Sequence, residues 1–281
     1  MTQVHRPLLI INAAGVWNCG LRTQGACVPH PERVIIKGLE PMRNWIIGAA
    51  AFLAVAAPSV AAAQTGYVGV NYGNVDAGGG ADEDFYGIEG AVAFAGSGSI
   101  VFEVDAAVVD SDDTDTGYGL TGHIYSRNDS HLFGGFIGVA DSNDSTTWVG
   151  GLEAAKYYTN WTVAGAVFYG NNDDADVDGY GLNVEARAFV HDNFRLNGNI
   201  GYANVDAGGG DDDAMIYGVG GEYQFASYPI SVVAGYNTID FDGGDVDTWT
   251  IGLRYNWGGT LRDRDRSGAS QASVTGVGSL F

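Results

Sequence analysis

From Gln64 onward, apolar and polar residues alternate in long segments, separated in turn by acidic, glycine-rich stretches and by short turns. The last segment shows it most clearly. Trp249, Ile251, Leu253, Tyr255 and Trp257 fall on one side, and Thr248, Thr250, Gly252, Arg254 and Asn256 on the other. Another puts Tyr180, Leu182, Val184, Ala186 and Ala188 opposite Gly181, Asn183, Glu185 and Arg187. Successive residues of an extended chain point to opposite faces, so these are strands with one apolar and one polar side. No 3.6-residue period competes after residue 64. The pattern predicts twelve strands, at approximately 66–75, 84–95, 100–110, 117–127, 131–140, 147–157, 161–170, 178–189, 194–205, 214–225, 230–239 and 247–257, with ten as the alternative count. The segment Leu132–Ala140 has glycine on both faces, which leaves its register open.

Alternating antiparallel strands fit two architectures. A soluble sandwich or lipocalin-like barrel turns its apolar face inward, whereas a membrane barrel turns it to lipid. Strands of about ten residues suit a tilted bilayer crossing, while soluble strands average about five or six. Aromatic residues collect at both strand ends. Tyr67, Phe94, Phe102, Trp161, Phe189, Phe194, Tyr223 and Trp257 lie near the turns. Tyr72, Tyr86, Tyr118, Trp148, Tyr169, Tyr180, Tyr202, Tyr217, Tyr236 and Trp249 lie near the acidic loops. Two such bands are the girdles of a membrane barrel. The expected fold is an all-β, antiparallel, up-and-down transmembrane β-barrel over residues 64–257.

The 281 residues include 13 Lys and Arg against 34 Asp and Glu, a formal charge of −21, and 44 glycines. Such a chain lacks the basic face that displaces counterions from phosphates, which excludes a nucleic-acid binder. At 46% hydrophobic and 12% aromatic residues it can build a core, unlike a disordered chain. One stretch differs from the rest. Arg43 follows Met42, Trp45 to Ala57 is apolar, and Pro58 precedes Ala61, Ala62 and Ala63. That is the form of a secretory signal, so residues 42–63 are expected to be removed on export. Residues 1–41 would then be an upstream extension that is not native. Cys19 and Cys27 both lie there, so the mature chain has no cysteine.

The chain resembles the small porin-like outer-membrane β-barrels of Gram-negative bacteria over residues 42–257. The most specific likeness is Gly252, Tyr255 and Trp257 at the end of the last strand, which matches that family's assembly signal. The resemblance implies insertion by the barrel-assembly machinery, outer-membrane lipid and lipopolysaccharide as surroundings, acidic loops outside the cell and termini in the periplasm. This chain departs from the family by continuing for 24 residues beyond Trp257. Residues 258–281 are expected to be a flexible periplasmic tail.

Residues 64–257 contain 30 acids and 5 bases. Twenty-two of the acids fall in six loops that hold no Lys or Arg. Mid-strand on the polar face are Glu89, Glu103, Asp105, Glu153, Glu185 and Glu222, and His123, Arg127, Arg187, Arg195 and Arg254 are placed inside with them. These residues are expected to line the lumen. Superposing the strands on their ends brings Glu153, Glu185 and Glu222 level with Arg254. Two roles stay open for them, an interior salt-bridge network and a ring that selects ions.

Other motifs carry less. Asp174, Asp176, Asp178 and Glu185 satisfy an EF-hand spacing, but a strand would hold Glu185 about 23 Å from Asp178. That is too far for the bidentate ligand, so the three aspartates are only weak metal candidates. Ser130 and His131 are adjacent, and adjacent strand residues point apart, so no dyad, no enzyme and no cofactor are expected. The function expected is a passive channel for small solutes or ions with modest cation preference, its lumen open because no loop is long enough to plug it. The alternative is a non-conducting barrel that anchors the envelope through an acidic crown bridged by divalent cations. N-terminal sequencing of the protein from an outer-membrane fraction should begin at Gln64; an intact segment 1–41 there would contradict the assignment of the export signal.

Overall fold

The structure, a computed structural model, describes residues 8–12, 15–19, 65–78, 82–111, 116–142, 145–172, 176–206 and 210–275. Strands β1 (Leu8–Asn12) and β2 (Gly15–Cys19) pair only with each other. The expected export signal, 42–63, lies outside the described residues, as does most of 1–41.

Twelve strands follow: β3 (Thr65–Asp76), β4 (Asp82–Ala95), β5 (Ile100–Ser111), β6 (Gly117–Arg127), β7 (His131–Ser142), β8 (Ser145–Tyr157), β9 (Trp161–Asn172), β10 (Val177–His191), β11 (Phe194–Asp206), β12 (Asp211–Gln224), β13 (Ile230–Phe241) and β14 (Gly244–Trp257). Each pairs antiparallel with its chain neighbours, and β14 pairs with β3 from Asp247↔Asp76 to Trp257↔Gly66. The sheet therefore closes into an up-and-down barrel of twelve strands, with no unpaired edge.

Alternation decides what faces out. Val219 is 65% exposed and Ile137 62%, and Leu120, Leu152, Val167, Ile200, Ile251 and Leu253 are exposed with them. Their neighbours along each strand point inward and are buried or half-buried, many of them polar or charged. The register of β7 is settled by its neighbours on both sides. Phe133 and Ile137 point out, while Leu132 and Phe136 point in, and the Phe136 ring stacks on His123 at 5.8 Å. Two aromatics expected in the turn-side band belong to the inner face by the same parity. Tyr67 and Phe189 point inward, where the guanidinium groups of Arg254 and Arg266 lie over their rings at 4.4 and 5.9 Å.

At the acidic end the strands run up to three residues further than expected, so the loops shrink. The β13–β14 connection is only residues 242–243 and the β7–β8 connection only 143–144. Several aspartates thus face each other across the ladder, among them Asp76↔Asp82, Asp76↔Asp247 and Asp206↔Asp211. Direct like-charge pairs are unfavourable. Neutral donors hold some of the neighbouring carboxylates in place, as Tyr202 and Asn204 do for Asp213 and Thr238 does for Asp247.

The main correction concerns the segment after Trp257, expected to be a free tail. Gly258 and Gly259 have φ of 97° and 107°, values that favour glycine, and they reverse the chain at the turn end of the barrel. Thr260 then caps helix α1 (Leu261–Ser267): its hydroxyl accepts the Asp263 N–H while the Asp263 carboxylate accepts the Thr260 N–H. Beyond the helix, Ala269, Gln271, Val274 and Thr275 are buried. The segment touches β5 through Glu103, β6 through Arg127, β9 through Thr162, β10 through Arg187 and β12 through Glu222. A chain that reaches walls on opposite sides of a closed barrel lies within it.

If the outward apolar band meets lipid, replacing mid-strand Val219 by Arg should cost about 2–4 kcal/mol of folded stability. A band bathed in water would tolerate the change within about 0.5 kcal/mol. Urea titration of the refolded protein, followed by the heat-sensitive gel mobility of the barrel, separates the two.

Candidate functional site

Every ionisable strand residue expected on the inner face points inward, but together they do not form one ring. They divide into three networks at different places on the wall. The first centres on Glu222, which is 2% exposed. Its carboxylate pairs with Arg254 at 3.0 Å, Arg195 at 3.1 Å and Arg264 of the tail at 3.4 Å, and accepts the Ser231 hydroxyl at 2.6 Å. Arg254 also holds Glu89 at 2.7 Å.

The second network surrounds Arg187, buried at 1% exposure. Glu185 on the same strand lies 2.7 Å away and Asp265 of the tail 2.9 Å away. Asp265 accepts the Thr162 hydroxyl as well, and Ser273 donates to Glu185. One barrel carboxylate and one tail carboxylate therefore share a single buried guanidinium.

The third network is acid-rich. His123 sits between Asp105 at 3.2 Å and Glu153 at 3.0 Å, one ring nitrogen toward each. Among the described residues, Glu103 forms no ion pair. It accepts the Tyr125 hydroxyl at 2.7 Å and the backbone N–H groups of Ser270 and Gln271 at 3.2 and 2.9 Å. Arg127 donates to the Tyr125 hydroxyl, to the Gly268 carbonyl and to Ser270. Glu103, Asp105 and His123 offer ligand atoms within 4.8 Å of one another. A metal there would have to displace contacts already made, since both His123 nitrogens face carboxylates and Glu103 accepts three donors.

Between the strands and the tail there remains a cavity of about 180 Å³, bounded by Tyr67, Glu89, Asp105 and Arg254 on the wall and by Ala272 and Ser273 of the tail. At the opposite, acidic end an apolar cluster of Val75, Phe85, Val109 and Val246 points inward. Reading the inner face as polar passed over this cluster.

Of the weak metal candidates, Asp174 lies outside the described residues. Asp176 has φ of 53°, and Asp178 accepts the Tyr169 hydroxyl at 2.8 Å. Gly252, Tyr255 and Trp257 end the closing strand, with Tyr255 exposed outward. Ser130 and His131 do not point apart, because the turn lets the Ser130 hydroxyl approach His131 Nδ1 to 3.0 Å. Asn128 uses its carbonyl for the N–H groups of Ser130 and His131, so its amide NH2 must donate to His131 Nε2. With Nε2 accepting, the ring nitrogen that faces Ser130, Nδ1, is the donor of that pair, the reverse of what a general base does.

The tail residues Arg264, Asp265 and Gln271 were not among the expected site residues. Two signals pointed to them: the capping pattern Thr260-x-x-Asp263, which starts a helix, and the excess of inner-face acids over bases.

No family model matches the chain, and no curated protein matches its sequence. Solved structures do. The KdgM porin, solved in complex with disordered oligogalacturonate, aligns at a TM-score of 0.50 and 9% identity, covering 67% of this chain and 99% of its own. The NanC porin aligns at 0.51 and 8%, covering 67% and 98%. The chain has the fold of these outer-membrane porins. At such low identity the likeness concerns the fold alone. Within that porin fold, the three ion networks and the tail are described by this chain's own residues.

Glu222→Gln leaves Arg195, Arg254 and Arg264 without their shared carboxylate, and uncompensated buried charge of this kind costs about 3–5 kcal/mol. Urea titration of the variant should show a loss of that size, whereas Asp129→Asn at an exposed turn should change little.

Proposed function

We propose that the chain is a porin-like outer-membrane channel that passes small solutes with a modest preference for cations. The observation that carries this reading is a closed barrel with apolar residues all round its outside and charged residues inside. Lipid satisfies the first, and only a closed barrel lets strands cross it with every backbone group paired. The acidic end faces outward from the cell and the turns and tail face the periplasm. Gly252, Tyr255 and Trp257 engage the barrel-assembly machinery, and lipid and lipopolysaccharide surround the wall. This reading includes no enzymatic activity: with Asn128 donating to Nε2, the His131 ring faces the Ser130 hydroxyl with a donor and not with a base.

Cation preference rests on the loop end, where aspartates stand without Lys or Arg. Such a rim concentrates cations within about 8–10 Å at physiological salt. Glu153, Glu185 and Glu222 are not a free selectivity ring in this state, because His123 and the arginines engage them. A second reading, the non-conducting structural barrel with a divalent-binding crown, is favoured by one observation. The tail fills part of the interior.

Planar bilayers containing the barrel without residues 258–281 distinguish them. The channel reading expects ion conductance and, across a KCl gradient, a reversal potential of the cation-selective sign that grows as salt is lowered. A folded barrel that carries no current would favour the structural reading, and an anion-selective sign would give control of permeation to the arginines.

A further inference from the structure

The interior segment has the attributes of a movable part, and we infer that residues 258–275 are an internal gate that closes this pore and leaves it as a unit, pivoting at Gly258–Gly259. The inference rests on the channel reading above and concerns how that channel is controlled.

Three observations support it. The barrel does not need the segment for closure, because β14 pairs with β3 along its length up to Trp257, before the tail begins. The pivot is built from two consecutive glycines at positive φ, where any other residue is strained. The way the segment is held also matters. Many of its contacts with the wall are polar: Asp265 on Arg187 and Thr162, Arg264 on Glu222, the Ser270 and Gln271 N–H groups on Glu103, and the Val274 carbonyl accepting from Asn183. Among the described residues its buried apolar side chains are few: Leu261, Ala269, which joins Ala91 and Ala93 of the wall, and Val274, which joins the wall cluster of Tyr125, Leu132 and Phe136. Water that enters the lumen as the segment leaves can rehydrate the polar and charged groups it uncovers, a compensation that a large apolar interface lacks.

The path of the segment matches closure. From Arg264 and Asp265 against β12 and β10, the chain crosses to Gly268 beside Thr65 of β3 and Arg127 of β6. It then climbs to Asn183, near the middle of β10. It therefore blocks the turn-end half of the lumen and leaves the cavity above it. Release would expose Glu103 and Arg187 to the pore, which changes its charge lining as well as its width.

A disulfide between the segment and the wall tests this in the full chain. A side-chain carbon built on Gly268 would lie 2.8 Å from the Cβ of Thr65. A shift of about 1 Å brings that pair to disulfide spacing, and no native cysteine follows residue 27. Protein carrying Thr65→Cys and Gly268→Cys is recorded in planar bilayers, oxidised and then reduced, beside the unmodified chain and the chain without 258–281. The gate predicts loss of conductance on oxidation, recovery on reduction to the intermittent openings of the unmodified chain, and a steadily open pore without the tail. Equal conductance in oxidised, reduced and truncated forms would overturn the gate while keeping the channel. Conductance only after truncation, with the reduced full chain silent, would make the segment a permanent plug and also overturn it. A folded truncated barrel without current would instead remove the channel reading on which the gate rests. If the truncated chain fails to fold, the oxidised and reduced pair still decides.

Discussion

Compensation of charge inside a closed wall is the constraint on which the rest of this structure depends. Strand alternation sends every second residue inward, and six of those positions carry mid-strand carboxylates. A carboxylate enclosed by protein is tolerated only when it is paired and hydrogen-bonded. Four arginines and one histidine of the wall meet part of that demand. The remainder comes from the tail, which adds Arg264 to Glu222 and two backbone N–H groups to Glu103, and gives Arg187 a second carboxylate through Asp265. Barrel and tail are thus one electrostatic unit, although they are separate elements in the hydrogen-bonded ladder.

The wall was legible in the sequence because period-two alternation is a local property. Each of the twelve strands could be placed from its own residues, and the errors fell at the acidic end, where the ladder continues through Asp82, Asp211 and Asp245. Polarity alone suggested loop there; pairing with a neighbouring strand decided otherwise. The register of β7 was illegible for a similar reason, since glycines on both faces carry no signal and His123 on β6 and Gly151 on β8 supply it from outside. The three ion networks were legible as a list of residues and not as a geometry. Superposing strands by their ends ignores the stagger between neighbours in a barrel; Glu153 meets His123 across β7, while Glu185 pairs with Arg187 two residues along its own strand, and no common ring forms.

The tail was the least legible part. Its placement depends on contacts with strands more than a hundred residues earlier, such as Arg127 with Gly268, and no local pattern encodes that. What the sequence does carry is the helix start at Thr260 and the alternating Arg262, Asp263, Arg264, Asp265 and Arg266, a charge pattern suited to a wall of both signs. An open lumen followed naturally from counting loops alone. The occupant came from the other end of the barrel.

The central claim, that the C-terminal segment occupies the barrel interior, is tested most directly by the reactivity of a cysteine at position 271. Gln271 is fully buried against Glu103, and Ser97, at an exposed turn, supplies the reference position. Folded protein carrying Gln271→Cys should react with a bulky charged maleimide far more slowly than protein carrying Ser97→Cys, with the difference vanishing in denaturant. Equal labelling rates in the folded state would place the segment outside the barrel and contradict the account.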